Sequence, residues 1–381
     1  VNESNKKIIF IFHNTGLTGA SLVLLRYIQY LNSKAKYSLV FLLPGQGKIG
    51  QALSRCGEVI NYNQQAKLSL ASRVLVKAGM KEIRNPSTEE RILTVVRKTE
   101  PDLVYCNTVA SSKIVETLKR QTDIPVILHF HELETGVKLT GYNPSEALKL
   151  ADLVIANSET TAAYIRSAYD VPREKTEVHY PVIPDHSLSV SESHPDGFVV
   201  GSAGTALPGK GALAFIDLAR AVVAMDASRN WKFVWVGNFA KHCSEIEQRI
   251  EQYKLREVVH FIGESEVPLE QFARFDVFVS LSEEESFGLA CMECASLGVP
   301  VAGYRGSGEI ERLIRSCDGI TVSLNDIEGM AAELINLRGD TDRLKKMSVS
   351  ARNFSTSFLP EKVIPGWMNV VECVLNKKTL V

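Results

Sequence analysis

The sequence predicts an α/β protein of two domains, each a parallel sheet wound by helical crossovers. Three observations carry this. Short apolar strands alternate with amphipathic helical segments along the whole length, which is the pattern of parallel strands joined by crossovers. The stretch from residue 8, IIFIFHNTGLTGASLVLL, and the stretch from residue 197, GFVVGSAGTALPGKGALAFI, share one plan of strand, glycine turn and helix. Between the two halves, Tyr180–Asp196 is rich in proline and serine, has no helical period and reads as a linker.

In order, the first half gives strands at Ile8–Phe12, Ser38–Leu42, Leu103–Tyr105, Val126–His129 and Leu153–Asn157. Each is a short apolar run rich in β-branched or aromatic residues, as a strand buried on both faces requires. The second half gives Gly197–Ser202, Lys232–Val236, Val258–Ile262, Val277–Ser280 and Val301–Gly303 on the same grounds. A last helix is predicted at Val363–Leu375, after Pro360, with Trp367, Met368, Val371 and Val374 for its apolar side.

With 381 residues the chain is long enough for two domains of ordinary size. Hydrophobic residues make up 45% and charged residues 23%, as in soluble globular proteins. A net charge of −1 gives no basic field, so nucleic acid is not an expected partner. No apolar run reaches membrane-spanning length, and the first residues lack the long apolar core and cleavage site of a secretory signal. The expected location is therefore cytoplasmic, with peripheral contact at the inner face of a membrane left open. Seven scattered cysteines do not make a disulfide framework. Cys291 and Cys294 share a helix face but have no second pair to complete a zinc site, so they read as small core residues.

The stretch most informative about function is SLSEEESFGLACMECASLGVPVAG, residues 280–303. From Ser286 to Tyr304 its one charge is Glu293. A helix so apolar should be buried nearly all round, and a carboxylate inside it is costly unless something hydrogen-bonds it. That partner could be an arginine, a backbone amide or a pair of ligand hydroxyls. The order is strand, polar loop with Glu285, helix, then Gly298-Val299-Pro300 as a stop. In open parallel sheets ligands lie at strand carboxyl ends, facing helix N-termini. Two acids and a cluster of first-turn amides suit hydroxyls flanking a phosphate, the layout of a nucleotide sugar.

Glu285-Ser286-Phe287-Gly288, with Glu293 eight positions on and Gly298-Val299-Pro300-Val301 after it, resembles the E-x(7)-E element of the family 4 (group 1) retaining glycosyltransferases. The resemblance implies the GT-B fold, two Rossmann-like domains facing a cleft. It implies that Glu293 holds the ribose hydroxyls, that Glu285 contacts the transferred sugar, and that Ser286, Phe287, Gly288 and Leu289 offer amides to sugar and phosphate. The implied domains are residues 1–184 plus 360–381 on the acceptor side and residues 185–359 for the nucleotide sugar.

The loop GTALPGKG, Gly204–Gly211, has two readings. It falls one residue short of a P-loop, because Gly211 stands where a Ser or Thr would ligate Mg²⁺. In the family resemblance Lys210 is the phosphate-binding lysine, and Thr205 stands where the family usually has arginine, removing one cation from the diphosphate clamp. The turn His13–Ser21, with Gly16 and Gly19, resembles the family's glycine loop on the donor diphosphate. His129 and His131 should point to one face of their strand. His131 matches the family histidine that contacts the donor sugar, and His129 reads as a packed histidine. Asn107, Asn157 and Ser158 close strands, and any of them could line the acceptor side. The Asp340-Thr341-Asp342 string lies between helical segments, so it reads as surface, with Asp342 free to cap the next helix. No metal site and no cofactor are assigned.

The expectation is thus a metal-independent retaining hexosyltransferase. Its substrates would be a nucleotide sugar, with a UDP-sugar such as UDP-glucose favoured over a GDP-sugar, and a glycan, lipid-linked glycan or polysaccharide acceptor. Lys210, Glu285 and His131 would carry the chemistry. A P-loop-like mononucleotide hydrolase and a non-catalytic nucleotide-sugar-binding protein stay open beside it.

Overall fold

The computed structural model describes residues 5–33, 36–64, 85–186, 188, 197–207, 209–226, 230–239 and 242–376. The chain divides into two compact units, residues 1–179 with 364–381, and residues 180–363. The sequence reading drew its changeovers after residues 184 and 359, four or five residues away.

Unit 1 is a seven-stranded, all-parallel sheet. Its strands are β1 (Lys6–Ile11), β2 (Tyr37–Leu43), β3 (Glu58–Asn61), β4 (Leu103–Asn107), β5 (Val126–Phe130), β6 (Leu153–Ala156) and β7 (Thr176–Val178). They lie in the order β3-β2-β1-β4-β5-β6-β7. Ile8 pairs with Leu39 on one side and with Leu103 on the other. The central strands are mainly apolar because helices cover both faces of the sheet; the polar exceptions are Lys6 and Lys7 at the start of β1, Asn107 at the end of β4 and His129 in β5. The last helix, Pro360–Leu375, serves this unit from its second turn on. Trp367 stacks on Tyr27 at 4.6 Å between ring centroids and donates its Nε1–H to the Tyr105 hydroxyl at 3.0 Å. The helix begins at Pro360, three residues before the expected Val363, because proline suits a first turn whose amides have no intrahelical acceptor.

Unit 2 is a six-stranded parallel sheet of β8 (Phe198–Ala203), β9 (Trp231–Val236), β10 (Val259–Phe261), β11 (Val277–Ser280), β12 (Val301–Tyr304) and β13 (Ile320–Val322). Their order is β10-β9-β8-β11-β12-β13. Its core holds Trp231, Phe233 and Trp235 against the helix Ala212–Met225 on one face. On the other face Met292, Cys294 and Leu297 are packed away with Phe278.

The expected linker is only partly a linker. Residues 187 and 189–196 lie outside the described residues. Before them, Tyr180 packs edge-on against Phe358 and near Phe287, and the Ile183 amide donates to the Phe358 carbonyl at 2.9 Å. The aromatic and apolar residues among the prolines dock the segment on unit 2.

Each sheet has one point where strand order reverses. In unit 1 it lies between β1 and β4, in unit 2 between β8 and β11. Ligand sites in open α/β sheets form beyond the carboxyl ends of strands at such points.

Candidate functional site

In unit 2 the switch point brings together two loops that are 75 residues apart in sequence. After β8 runs Gly204–Gly211; after β11 runs the segment holding Glu285. The Lys210 ammonium donates to the Glu285 carboxylate at 2.8 Å. Glu285's charge raises the Lys210 pKa above its ordinary value, so the lysine stays a cation. A second tie joins the loops, from the Glu283 amide to the Gly209 carbonyl at 3.0 Å. Gly211 makes the approach feasible. Its φ is 83°, and a Cβ there would lie 2.4 Å from the Leu281 carbonyl oxygen, so no side chain fits.

The same loop is not built as a phosphate cradle of the P-loop kind. The Ala206 amide donates to the Asn238 carbonyl, the Leu207 amide to that of Thr205 and the Lys210 amide to that of Leu207, at 2.8, 2.8 and 3.0 Å. A P-loop keeps such amides for phosphate oxygens. Thr205 itself is exposed on the loop, and Pro208 lies outside the described residues.

Glu285 is fixed by its own backbone. Its amide donates to the Ser307 carbonyl at 2.8 Å and its carbonyl accepts from the Glu309 amide at 3.0 Å. These bonds form an isolated parallel bridge to Gly308, beyond the end of β12. Glu309 anchors that bridge. It is fully buried, accepts from Tyr180 Oη at 3.2 Å and from Arg312 Nε at 2.6 Å. Glu309 is not among the residues expected from the sequence, and Tyr180 is expected there only as the start of a linker; the signal available was an acid just after Gly306-Ser307-Gly308 at the end of an apolar strand.

The helix after Glu285 spans Leu289–Leu297. Gly288 precedes it with φ 86° and gives it no side-chain cap, so its first-turn amides have neither an intrahelical acceptor nor a cap. Glu293 sits in the second turn with 7% of its surface exposed, among Met292, Cys294 and Ala295. Phe287 is turned into the core near Tyr180 and Phe358, so what it can offer a ligand is its main chain. Ser286 and Leu289 are half-buried. Cys291 and Cys294 are buried, and burial pushes both thiols well up, which leaves them inert packing groups.

In unit 1 the switch point gathers the ends of β1, β4 and β5. His131, just past β5, donates from Nε2 to the Asn107 Oδ1 at the end of β4, 2.8 Å away. The Asn107 Nδ2 donates to the Ala20 carbonyl at 3.2 Å, in the first turn of the helix Gly19–Ser33. His129 lies beneath, with 3.9 Å between the two ring centroids, and its Nδ1 meets the Tyr105 hydroxyl at 2.8 Å. It is the packed histidine expected. His13 pairs through Nδ1 with Thr108 Oγ1 at 3.0 Å and through Nε2 with Asn14 Nδ2 at 2.7 Å. Burial holds His131 down to about 3 and lowers His129 and His13 as well. Glu132 accepts from the amides of His131 and Val109 at 3.0 and 3.2 Å, and burial raises its carboxyl to about 7.

The Gly16 amide donates to Asn14 Oδ1 at 3.2 Å. Gly19 opens its helix, and a Cβ placed there would meet no heavy atom within 4 Å, so its backbone is open to approach. Asn157 and Ser158 are occupied locally: Thr161 Oγ1 donates to Asn157 Oδ1 at 2.7 Å, and Ser158 caps the helix Glu159–Tyr169.

The Asp340-Thr341-Asp342 string is a helix start. The capping residue is Asp340, which accepts from the Arg343 amide at 2.9 Å, and not Asp342. The helix begins at Thr341, which puts Asp342 inside the first turn, where its charge suits the helix dipole. Among the described residues no group of three or more His, Cys, Asp or Glu side chains could hold a metal ion. Among the same residues no helix is long and apolar enough to cross a membrane.

Two family models match the chain. "Glycosyl transferases group 1" covers residues 187–354, and "Glycosyltransferase Family 4" covers residues 59–186. The chain belongs to the family 4, group 1 glycosyltransferases, and its two parallel-sheet units are those of the GT-B fold. It is 30% identical over 159 residues to the N-acetyl-alpha-D-glucosaminyl L-malate synthase of Bacillus anthracis, a match spanning 42% of this chain and 40% of that protein. It is 24% identical over 282 residues to the lipopolysaccharide core biosynthesis glycosyltransferase LpsD of Rhizobium meliloti, covering 72% of this chain and 76% of the relative. Among solved structures, Anabaena Alr3699/HepE in complex with UDP and glucose superposes with a TM-score of 0.79 at 19% identity, over 96% of this chain and 99% of that one.

Proposed function

We propose that the chain transfers a hexose from a UDP-sugar, such as UDP-glucose, to a glycan, lipid-linked glycan or polysaccharide acceptor, with retention and without a metal. The observation that carries this is the Lys210–Glu285 pair at the switch point of unit 2, followed at once by the helix that buries Glu293. The nucleotide sugar belongs to unit 2 and the acceptor side to unit 1. Glu293 takes the ribose hydroxyls, and Glu285 the transferred sugar. Lys210 and the amides from Ser286 to Leu289 take the diphosphate. Gly16, Gly19 and His131 serve the sugar and its phosphates from the first unit.

In the step itself the bond from the anomeric carbon to the phosphate oxygen breaks. The acceptor hydroxyl oxygen bonds to the same face of that carbon, and its proton passes to a phosphate oxygen of the departing UDP. The charge that develops on the diphosphate is what Lys210 and the amides stabilise. Support comes from the retained cation at Lys210, from the UDP and glucose bound by the HepE neighbour, and from the lipopolysaccharide core biosynthesis named for LpsD. A lipid-linked acceptor would place the reaction at the inner face of a membrane.

The test is turnover of UDP-glucose against GDP-sugars with a set of glycan acceptors, the product anomer being assigned by NMR. An α product from an α donor supports retention, and a β product refutes it. Saturating EDTA should leave the rate within about twofold, a barrier change under about 0.5 kcal/mol. A collapse restored by Mg²⁺ or Mn²⁺ would overturn the metal-independent mechanism. Release of phosphate from a nucleoside triphosphate, with no sugar transfer, would favour the hydrolase reading instead.

A further inference from the structure

Residues 307–310 support the loop that carries Glu285. The Glu285 amide donates to the Ser307 carbonyl at 2.8 Å, and the Glu309 amide donates to the Glu285 carbonyl at 3.0 Å. Gly288 rests on the same segment, since a Cβ there would stand 2.6 Å from Ile310 Cδ1. The placement of Glu285 therefore depends on what holds the start of the helix Glu309–Ser316.

A closed triangle of side chains holds it. Arg312 Nη2 can only donate, so the Tyr180 hydroxyl accepts from it at 2.9 Å and gives its own proton to Glu309 Oε1 at 3.2 Å. Arg312 Nε donates to the same carboxylate oxygen at 2.6 Å. The Glu309 side chain has no exposed surface, and a carboxylate so buried is costly without such partners. The Tyr180 ring is itself set by Phe287 and Phe358, with 6.0 and 5.5 Å between ring centroids. Tyr180 lies 129 residues from Glu309 in sequence and opens unit 2, so every member of the triangle belongs to that unit.

We propose that Tyr180 is a positioning residue for the reaction: its hydroxyl, through Glu309 and the backbone of residues 307–309, sets where the Glu285 carboxylate stands against the transferred sugar. The proposal rests on the glycosyl-transfer reading for the sugar's place on Glu285. Among the described residues Glu285 is tied at its side chain to Lys210 and along its backbone to residues 307–309. A diphosphate weakens the first tie, because it offers the Lys210 ammonium a second anion. The backbone bridge is the tie that remains while the sugar is transferred. The Tyr180 hydroxyl has its proton on Glu309 and a lone pair on Arg312, so it acts through the helix start and not on the sugar itself. Small displacements of a reacting group are costly, about 1 Å being enough for a loss on the order of 100-fold in rate.

The test is Tyr180→Phe in the full chain, which removes one oxygen and keeps the ring on Phe287 and Phe358. Turnover of UDP-glucose should fall about tenfold, with UDP affinity in calorimetry within about twofold of wild type. Unchanged turnover overturns the proposal. So does a loss of UDP affinity as large as the loss of turnover, which marks a general disturbance of the unit. In the Glu285→Gln background, measured at single turnover, the same substitution should cost less than about twofold, and a full loss of about tenfold there overturns the route through Glu285. Hydrogen exchange without ligand gives a readout that needs no turnover. The amides of Glu285 and Glu309 should exchange faster in Tyr180→Phe, while those of β11 and β12 keep wild-type rates. That result supports the placement of Glu285 by Tyr180 even if no nucleotide sugar is turned over, an outcome that refutes the transfer reading alone. Unchanged exchange at both amides overturns the proposal and leaves the transfer reading intact. Should Tyr180→Phe fail to fold, Arg312→Lys takes its place. Its ammonium keeps the counter-charge for Glu309 without the fork that also reaches Tyr180, and the same outcomes decide.

Discussion

The two units place polar groups at equivalent positions of similar sheets and handle charge in opposite ways. Unit 2 keeps full charges at its switch point, Lys210 on Glu285 at 2.8 Å. Unit 1 suppresses charge, with His13, His129 and His131 all held toward the neutral form. The cause is local. Lys210 retains 40% of its side-chain surface and has an anion beside it, whereas the histidine rings are packed among Tyr105, Tyr27 and one another with amides and hydroxyls as partners. An ion pair with one open side can transfer its cation to an arriving diphosphate. Neutral rings with amide and hydroxyl partners offer hydrogen bonds but no cation. The division teaches that two similar sheets can hold opposite electrostatics at the same topological position.

The hardest test of that division is Lys210→Ala. If unit 2 supplies the cation for UDP departure, turnover should fall about 100- to 1,000-fold, roughly 2.7–4 kcal/mol of transition-state stabilisation. The fold should persist, because the lysine is part-exposed and its pair contributes little to stability. Single-turnover rates separate the outcomes. A loss confined to KM would make Lys210 a ground-state anchor and blur the contrast between the units. Next in size is Glu293→Gln. Loss of charge-assisted bonds to ribose hydroxyls should weaken UDP by about 1.5–3 kcal/mol in calorimetry. Equal affinity for wild type and variant would remove Glu293 from the nucleotide site.

What could be read from the sequence follows the same physics. Interior strands were legible because burial on both faces makes them continuous apolar runs, as in Ile8–Phe12 and Val277–Ser280. Edge strands were not: β3 is EVIN, β7 is TEV and β13 is ITV, each only three or four residues with half-buried positions, too short for an apolar run or an alternation to stand out. The edge strand β10 was found because apolar neighbours flank it in VVHFI. Glu285 and Glu293 stand out as acids bordering or inside an apolar run. Lys210 meeting Glu285, and Asn107 meeting His131, could not be read, because each pairing depends on which strands are neighbours. The sequence shows strand ends but not the order β8-β11 or β4-β5. The cap at Asp340 was displaced to Asp342 because either acid satisfies the pattern and only the helix start distinguishes them.

Acid should expose the difference between the units. His131 has a folded pKa of about 3 against roughly 6.5 when unfolded. Folding thus favours its neutral form. The stabilisation is complete above about pH 6.5 and is lost as pH falls toward 3; at pH 5 the loss is about 2 kcal/mol for this one ring. His129 acts in the same direction. Hydrogen exchange at pH 7 and pH 5, corrected for intrinsic rates, should show β4 and β5 losing protection while β8 and β11 keep theirs. Equal losses in both sheets would mean that the histidines do not govern acid stability.

Glu132 supplies the smallest effect, with the opposite sign, in the same unit. Its folded pKa of about 7 lies above its unfolded value of roughly 4.5. The stabilisation is therefore complete below about pH 4.5 and disappears as pH rises through 7, where the carboxylate must ionise in a poorly hydrated site. Glu132→Gln keeps a carbonyl oxygen to accept from the amides of Val109 and His131 and removes the ionisation. At pH 8.5 the variant should be more stable in β4 and β5 than wild type, by about 1–2 kcal/mol once partial exposure is allowed for. At pH 5 wild type is itself largely protonated, and the two should exchange alike. Paired exchange measurements at these pH values read the difference directly. A variant less stable at both would show that the ionised carboxylate is the form that holds His131 in place, and would put a charge back beside the histidine cluster that otherwise excludes it.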